Sequence, residues 1–144
     1  MVKVLVKKLA PEVQLPNYKT SGASGVDLMA FINEPIKLLP NNSCLVPTGL
    51  SVAFSEKYEL QIRPRSGLAA KSHITVLNTP GTIDSDYRGE IKVIIYNHGN
   101  NDGVAAGRTI HHFHWHIIPR YNGDVENPRG GIRYIISGKG NYSD

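Results

Sequence analysis

Apolar residues recur along this chain at every second position rather than every third or fourth. Val2, Val4 and Val6 alternate with Lys3, Leu5 and Lys7, and Leu60 and Ile62 alternate with Glu59, Gln61 and Arg63. In an extended backbone successive side chains point to opposite faces, so a period of two builds sheets with one apolar face. Further short apolar runs occupy residues 26–31, 44–46, 50–54, 74–77, 91–96 and 109–118. Turn residues separate them at 16–17, 21–25, 40–43, 47–49 and 80–81. This spacing predicts an all-β barrel or sandwich. No helix longer than two turns is expected, and residues 67–71 are read as one turn. No internal repeat is present, and 144 residues fit a single domain, 1–144.

Composition narrows the class. A chain of this length buries a real core without disulfide staples. Cys44 is the only cysteine, which excludes an intramolecular disulfide and favours a reducing compartment, hence an expected cytoplasmic location. The first ten residues, MVKVLVKKLA, lack the continuous apolar run of a secretory signal, and no stretch reaches the ~20 apolar residues of a membrane span. The net charge of +4 and pI of 9.2 come from scattered basic residues. That distribution suits a small anionic ligand at least as well as a nucleic acid, and neither a specific nucleic acid nor a membrane is expected as partner.

Two segments carry recognisable chemistry. In Gly81-Thr82-Ile83-Asp84-Ser85-Asp86-Tyr87-Arg88-Gly89-Glu90, two carboxylates and a tyrosine sit on a turn, with Pro80-Gly81 before it and Gly89 after it allowing a tight path. A carboxylate placed there can act as a general base on water. Taken alone, Asp-Ser-Asp reads more simply as an Asx turn or hairpin tip. Arg65-Ser66-Gly67 offers a guanidinium fork, a hydroxyl and a backbone open to a phosphate, although in isolation it too reads as a solvated turn.

Together the segments are more specific. Residues 23–30 (ASGVDLMA), 64–71 (PRSGLAAK) and 78–90 resemble, in order and spacing, three motifs of the trimeric dUTP pyrophosphatases, or dUTPases, over residues 3–97. That resemblance implies a jelly-roll subunit and a homotrimer with sites between subunits, acting on dUTP to give dUMP and pyrophosphate. It implies that Asp84 is the base activating water toward the α-phosphate. Tyr87 would lie under the deoxyribose, and Asn78, Gly81, Thr82 and Ile83 would line the uracil pocket. Arg65, Ser66 and Gly67 would hold phosphates across a subunit boundary. Asp27 would approach Mg²⁺ through its waters, the ion being carried mainly by the triphosphate.

The same family's fourth motif is altered. Its Gly-x-Arg-Ile-Ala-Gln has only Gly107-Arg108-Thr109-Ile110-His111-His112 as a counterpart, and its glycine-rich C-terminal arm is echoed only by Arg129-Gly130-Gly131. A different pattern stands there instead. His112, His114 and His116 fall on one face of an extended strand, with Phe113, Trp115 and Ile117 on the other. Direct ligation of one Zn²⁺ by all three is awkward, because positions i and i+4 lie about 13 Å apart along a strand. Residues 100–144 resemble the C-terminal segment of the histidine-triad nucleotide hydrolases and transferases. In that resemblance His114 would be a nucleophile, His112 and His116 its supports, and Asn101 and Thr109 phosphate-side groups. The N-terminal half of that family, which builds the nucleoside pocket, has no counterpart here. The expectation is therefore a chimera joined near 97–101, natural or constructed. A dUTPase-like portion, 1–97, carries a histidine-triad-like segment, 100–144, and residues 104–118 supply the sheet's missing strand. The alternatives are a histidine-triad nucleotidyl hydrolase working through His114 and a nucleotide-binding β-domain without turnover.

Overall fold

The computed structural model describes residues 2–105 and 113–119. Among them are eleven strands and one short helix, in the order β1 (Leu5–Lys8), β2 (Val26–Leu28), β3 (Ile36–Leu38), β4 (Ser43–Pro47), β5 (Leu50–Ala53), β6 (Tyr58–Arg63), α1 (Ser66–Ser72), β7 (Ile74–Val76), β8 (Gly81–Ile83), β9 (Lys92–Asn97), β10 (Gly103–Ala105) and β11 (Phe113–Pro119). The strands form a four-stranded sheet β2-β11-β6-β8, a three-stranded sheet β4-β9-β7, and two pairs, β1-β5 and β10-β3. The ladders are antiparallel.

The alternating pattern does what it predicts in β9. Val93, Ile95 and Asn97 are buried, while Lys92, Ile94 and Tyr96 face outward to varying degrees. The core draws on every sheet, with Leu28, Leu60 and Ile62 from one, Val46, Val76 and Ile95 from another, and Val52 from a third. Strand β6 departs from a simple inside–outside split. Glu59 and Gln61 are buried as well as Leu60 and Ile62. Burial of these polar groups is offset by a row of hydrogen bonds along the strand. Gln61 Nε2 donates to Glu59 Oε1 at 2.8 Å, and Arg63 donates to Gln61 Oε1 through Nε at 3.2 Å and Nη2 at 2.7 Å.

Three expectations need correction. Residues 66–72 form a seven-residue helix rather than a single turn, stopped at His73, which takes the left-handed conformation at φ 54°. Strand β3 was not anticipated, because Ile36-Lys37-Leu38 is too short to show a period. The reading of residues 104–118 as one strand is also wrong. Val104 belongs to β10, which pairs with β3, whereas β11 lies between β2 and β6. The idea that the histidine segment supplies a strand to the main sheet holds in this reduced form. His114 stands in register with Asp27 on one side and Arg63 on the other, and His116 with Gln61.

The expected junction at 97–101 is closely knit into its surroundings. Asn97 is 1% exposed, its Nδ2 donates to the carbonyls of Leu38 (3.0 Å) and Asn101 (2.9 Å), and its Oδ1 accepts the Gly99 N–H at 2.8 Å. Lys37 and Asp102 pair at 2.6 Å beside the β3–β10 ladder.

Candidate functional site

The carboxylate turn follows β8 directly. The Tyr87 N–H donates to the Asp84 carbonyl at 3.1 Å, which closes a β-turn and leaves the Asp84 side chain exposed. Arg88 Nη1 braces the turn from behind, donating to the carbonyls of Ser85 (2.6 Å) and Tyr87 (2.9 Å). The Tyr87 ring turns back over Gly89, where an added Cβ would stand 2.5 Å from the phenolic oxygen. Its hydroxyl donates to the Glu90 carbonyl at 2.8 Å. Beyond the turn the chain is tied to the β4–β5 connection. Thr48 Oγ1 donates to the Ile91 carbonyl at 2.7 Å, and the Ile91 N–H to the Leu50 carbonyl at 2.8 Å.

A cleft of about 390 Å³ opens against this turn, lined by Leu45, Asn78, Thr82, Ile83, Asp84, Tyr87, Glu90, Ile91, Lys92 and Ile94. Asn78 folds toward Gly81, its Nδ2 lying 3.1 Å from where a Cβ of that glycine would be. The lining combines apolar side chains with two carboxylates, an ammonium, an amide, a hydroxyl and a phenol. Such a cleft has the make-up of a site for a small polar ligand with a flat or apolar part.

The remaining expected site residues lie elsewhere. Arg65 caps α1, with Ser66 and Gly67 in its first turn. Arg65 Nη1 stands 3.9 Å from Oδ2 of Asp27, whose side chain is 5% exposed while that of Arg65 is 43% exposed. Asp27 borders a separate, smaller recess of about 50 Å³ with Gln14, Asn17 and Lys19 among its walls. The expected residues are thus brought together as two groups, Asn78, Thr82, Ile83, Asp84 and Tyr87 at the cleft and Asp27 with Arg65 at the other place, while Gly81 is buried behind Asn78 and does not line the cleft. Asn101 is a loop residue whose carbonyl holds Asn97. Thr109 and His112, the altered fourth motif and the Arg129-Gly130-Gly131 echo lie outside the described residues. Sequence reading did not single out Leu45, Ile94 or Lys92, which are brought to the cleft by the β4–β9 ladder. Nor did it single out Glu90, although that residue closes the motif.

The family model for dUTPase matches residues 11–110. The chain belongs to the dUTPase family. The match continues through 97–101, where a change of family was expected, and the likeness to histidine-triad hydrolases gains no support from it. Relatives of high identity are named deoxyuridine 5'-triphosphate nucleotidohydrolase. The one from Treponema denticola is 62% identical over 95 residues, 66% of each chain, and that from Fusobacterium nucleatum is 58% identical over 101 residues, 69% of each. The chain spans about two thirds of the length of the curated relatives it matches. Among solved structures, a mutant dUTPase from phage phi11 of S. aureus superposes with a TM-score of 0.73 at 17% identity, covering 89% of this chain and 97% of that one. A Staphylococcus bacteriophage dUTPase with dUpNHpp gives 0.71 at 18% identity, covering 99% of this chain and 96% of that one. The fold is accordingly the mostly-β dUTPase fold. No helix among the described residues is long and apolar enough to cross a membrane.

Proposed function

We propose that this dUTPase family member hydrolyses dUTP to dUMP and pyrophosphate. The observation that carries the reading is the cleft in which Asn78, Thr82, Ile83, Asp84 and Tyr87 meet. Asp84 is the general base. It takes a proton from a water molecule as the water oxygen bonds to the α-phosphorus, and the bond from that phosphorus to the bridging oxygen breaks to release pyrophosphate. Its exposed position on a braced turn keeps it accessible to water. Tyr87 offers a flat ring to the deoxyribose, and a ring held against the sugar leaves no room for a 2'-hydroxyl. Asn78, Thr82 and Ile83 line the pocket for the base, with Gly81 buried behind Asn78, and backbone groups there read the uracil edge.

Arg65, Ser66 and Gly67 hold the phosphates from a neighbouring copy, in the homotrimer that the family resemblance implies. The relative with bound dUpNHpp and the phage phi11 protein described with a structural Mg(II) ion suggest the substrate and metal by family likeness. The donor set is compatible with Mg²⁺. Asp27 is a buried carboxylate bordering a polar recess with Gln14, Asn17 and Lys19, an oxygen acceptor of the kind that suits water bound to Mg²⁺. Asp27 is the carboxylate that would accept hydrogen bonds from its waters. When bound, Mg²⁺ neutralises phosphate charge as it develops. The single cysteine and a nucleotide substrate favour the cytoplasm.

The test is Asp84→Asn, which preserves shape and removes the proton acceptor. Pyrophosphate release from dUTP should fall about 10²–10⁴-fold. Turnover at the unaltered rate would remove Asp84 from the mechanism.

A further inference from the structure

We propose that Glu90 is the positioning residue for Tyr87, holding the ring in place by pinning the segment behind it to the turn between β4 and β5. The inference rests on the reading of Tyr87 as the sugar platform. Tyr87 is 43% exposed, so core packing does not fix its ring. Its hydroxyl is fixed by the Glu90 carbonyl at 2.8 Å, and its ring face by Gly89. The ring is therefore placed only as well as the Gly89-Glu90 backbone is placed.

Glu90 supplies that placement through its side chain. Its Oε1 accepts the Gly49 N–H at 2.9 Å, and its Oε2 stands 3.6 Å from Lys92 Nζ. A carboxylate accepting a backbone N–H makes a stronger bond than a neutral acceptor does. Gly49 is a firm anchor. It lies at φ +67°, and an added Cβ would stand 2.4 Å from Val13 Cγ2 and 3.0 Å from Phe31 Cδ1, so the turn is packed closely against those two side chains. The connection thus runs from a core-packed turn, through one buried-side carboxylate, to an exposed ring in the cleft. Glu90 also lines that cleft without belonging to the base or phosphate groups.

A loosened platform costs selectivity more than rate. A site rejects an added hydroxyl only if its wall does not yield, and a yielding apolar wall discriminates weakly. Glu90→Ala should lower the dUTP-to-UTP ratio of kcat/KM by about tenfold or more. Glu90→Gln keeps an oxygen for the Gly49 N–H and should restore the ratio. Gly89→Ala, which drives a methyl into the ring, should lower it as Glu90→Ala does.

A second readout is independent of nucleotide chemistry. The Arg88–Gly89 bond lies within the pinned segment, and trypsin cleaves after arginine only when the backbone opens. Cleavage there should be about tenfold faster in Glu90→Ala than in the parent protein and near the parent rate in Glu90→Gln. Cleavage of Glu90→Ala at the parent rate overturns the anchor. Faster cleavage with an unchanged dUTP-to-UTP ratio overturns the link to Tyr87. A parent protein without dUTP turnover removes the proposed function, and the proteolysis still decides the anchor.

Discussion

Replacing Asn97 by alanine tests whether the segment after β9 is a native part of this fold. The side chain is fully buried and makes three hydrogen bonds, two from Nδ2 to the carbonyls of Leu38 and Asn101 and one at Oδ1 from the Gly99 N–H. A net contribution of about 0.5–1.5 kcal/mol each puts the set at about 1.5–4.5 kcal/mol. The Gly99 N–H and the Leu38 carbonyl would be left without these partners, so the upper half of that range is expected, about 3 kcal/mol. For a chain of this size that shift lowers the melting temperature by about 6–12 °C. Asn97→Asp should be worse than alanine, because a carboxylate cannot donate to either carbonyl and brings a charge into a site 1% exposed. Urea unfolding followed by far-ultraviolet circular dichroism, at fixed protein concentration, gives the difference. An alanine variant within about 0.5 kcal/mol of the parent would mean that residues 97–101 are loosely attached, and would revive the notion of a seam there.

Two further outcomes follow from the site and one from the core. If the proposed homotrimer with sites between subunits holds, mixing Asp84→Asn and Arg65→Ala subunits, each weakly active alone, should restore about a quarter of parental turnover after random exchange, since one site in four then combines an intact Asp84 with an intact Arg65; no recovery would place both groups in the same copy. Burial raises the Cys44 thiol above its ordinary pKa, so at a given pH near 8 it holds less thiolate than a free cysteine and should react more slowly with iodoacetamide, recovering in urea; equal rates folded and unfolded would contradict that burial. Incubation with a labelled adenosine phosphoramidate should leave no acid-labile nucleotidyl adduct on His114, and a stoichiometric adduct would support the histidine-triad reading instead.

Legibility of the fold in the sequence followed the length and regularity of its signals. Strands β4, β5, β7 and β9 lie where short apolar runs stood between turn residues, with Pro47, Asn78 and Asn97 closing three of them. Strand β3, three residues long, has no period to read. The alternation in β6 suggests a polar outer face, but Glu59 and Gln61 are buried, and the hydrogen-bond row that permits this depends on a geometry that composition does not reveal. The division of residues 103–119 between β10 and β11 was hidden for another reason. Strand partners are chosen by contacts far away in sequence, here with Ile36–Leu38 and Tyr58–Arg63. At the site, Asp84, Tyr87 and Asn78 were visible through their motif. Glu90 stood in the same motif, but its contact with Gly49 is 41 residues distant.

The pairing of β6 with β8 explains why one copy of the chain separates the two groups. In that ladder Ile62 faces Gly81 and Leu60 faces Ile83. The chain leaves β6 past the Gly81 end, toward Arg65, whereas Asp84 follows Ile83 past the opposite end, level with Glu59. Extended at about 3.3 Å per residue, the positions from Glu59 to Arg65 span about 20 Å. Proline at 64 and the helix beyond it redirect the chain toward Asp27, where Arg65 stands 3.9 Å from the carboxylate, and not back along β8. On the proposed reading, a base at one end of a strand pair and a phosphate grip at the other would serve a single triphosphate where neighbouring copies meet. The cleft's exposed apolar wall at Leu45, 54% accessible in a single copy, is the surface such a meeting would cover. Assembly and catalysis are then one requirement, and dilution that separates subunits should remove turnover before it unfolds the chain.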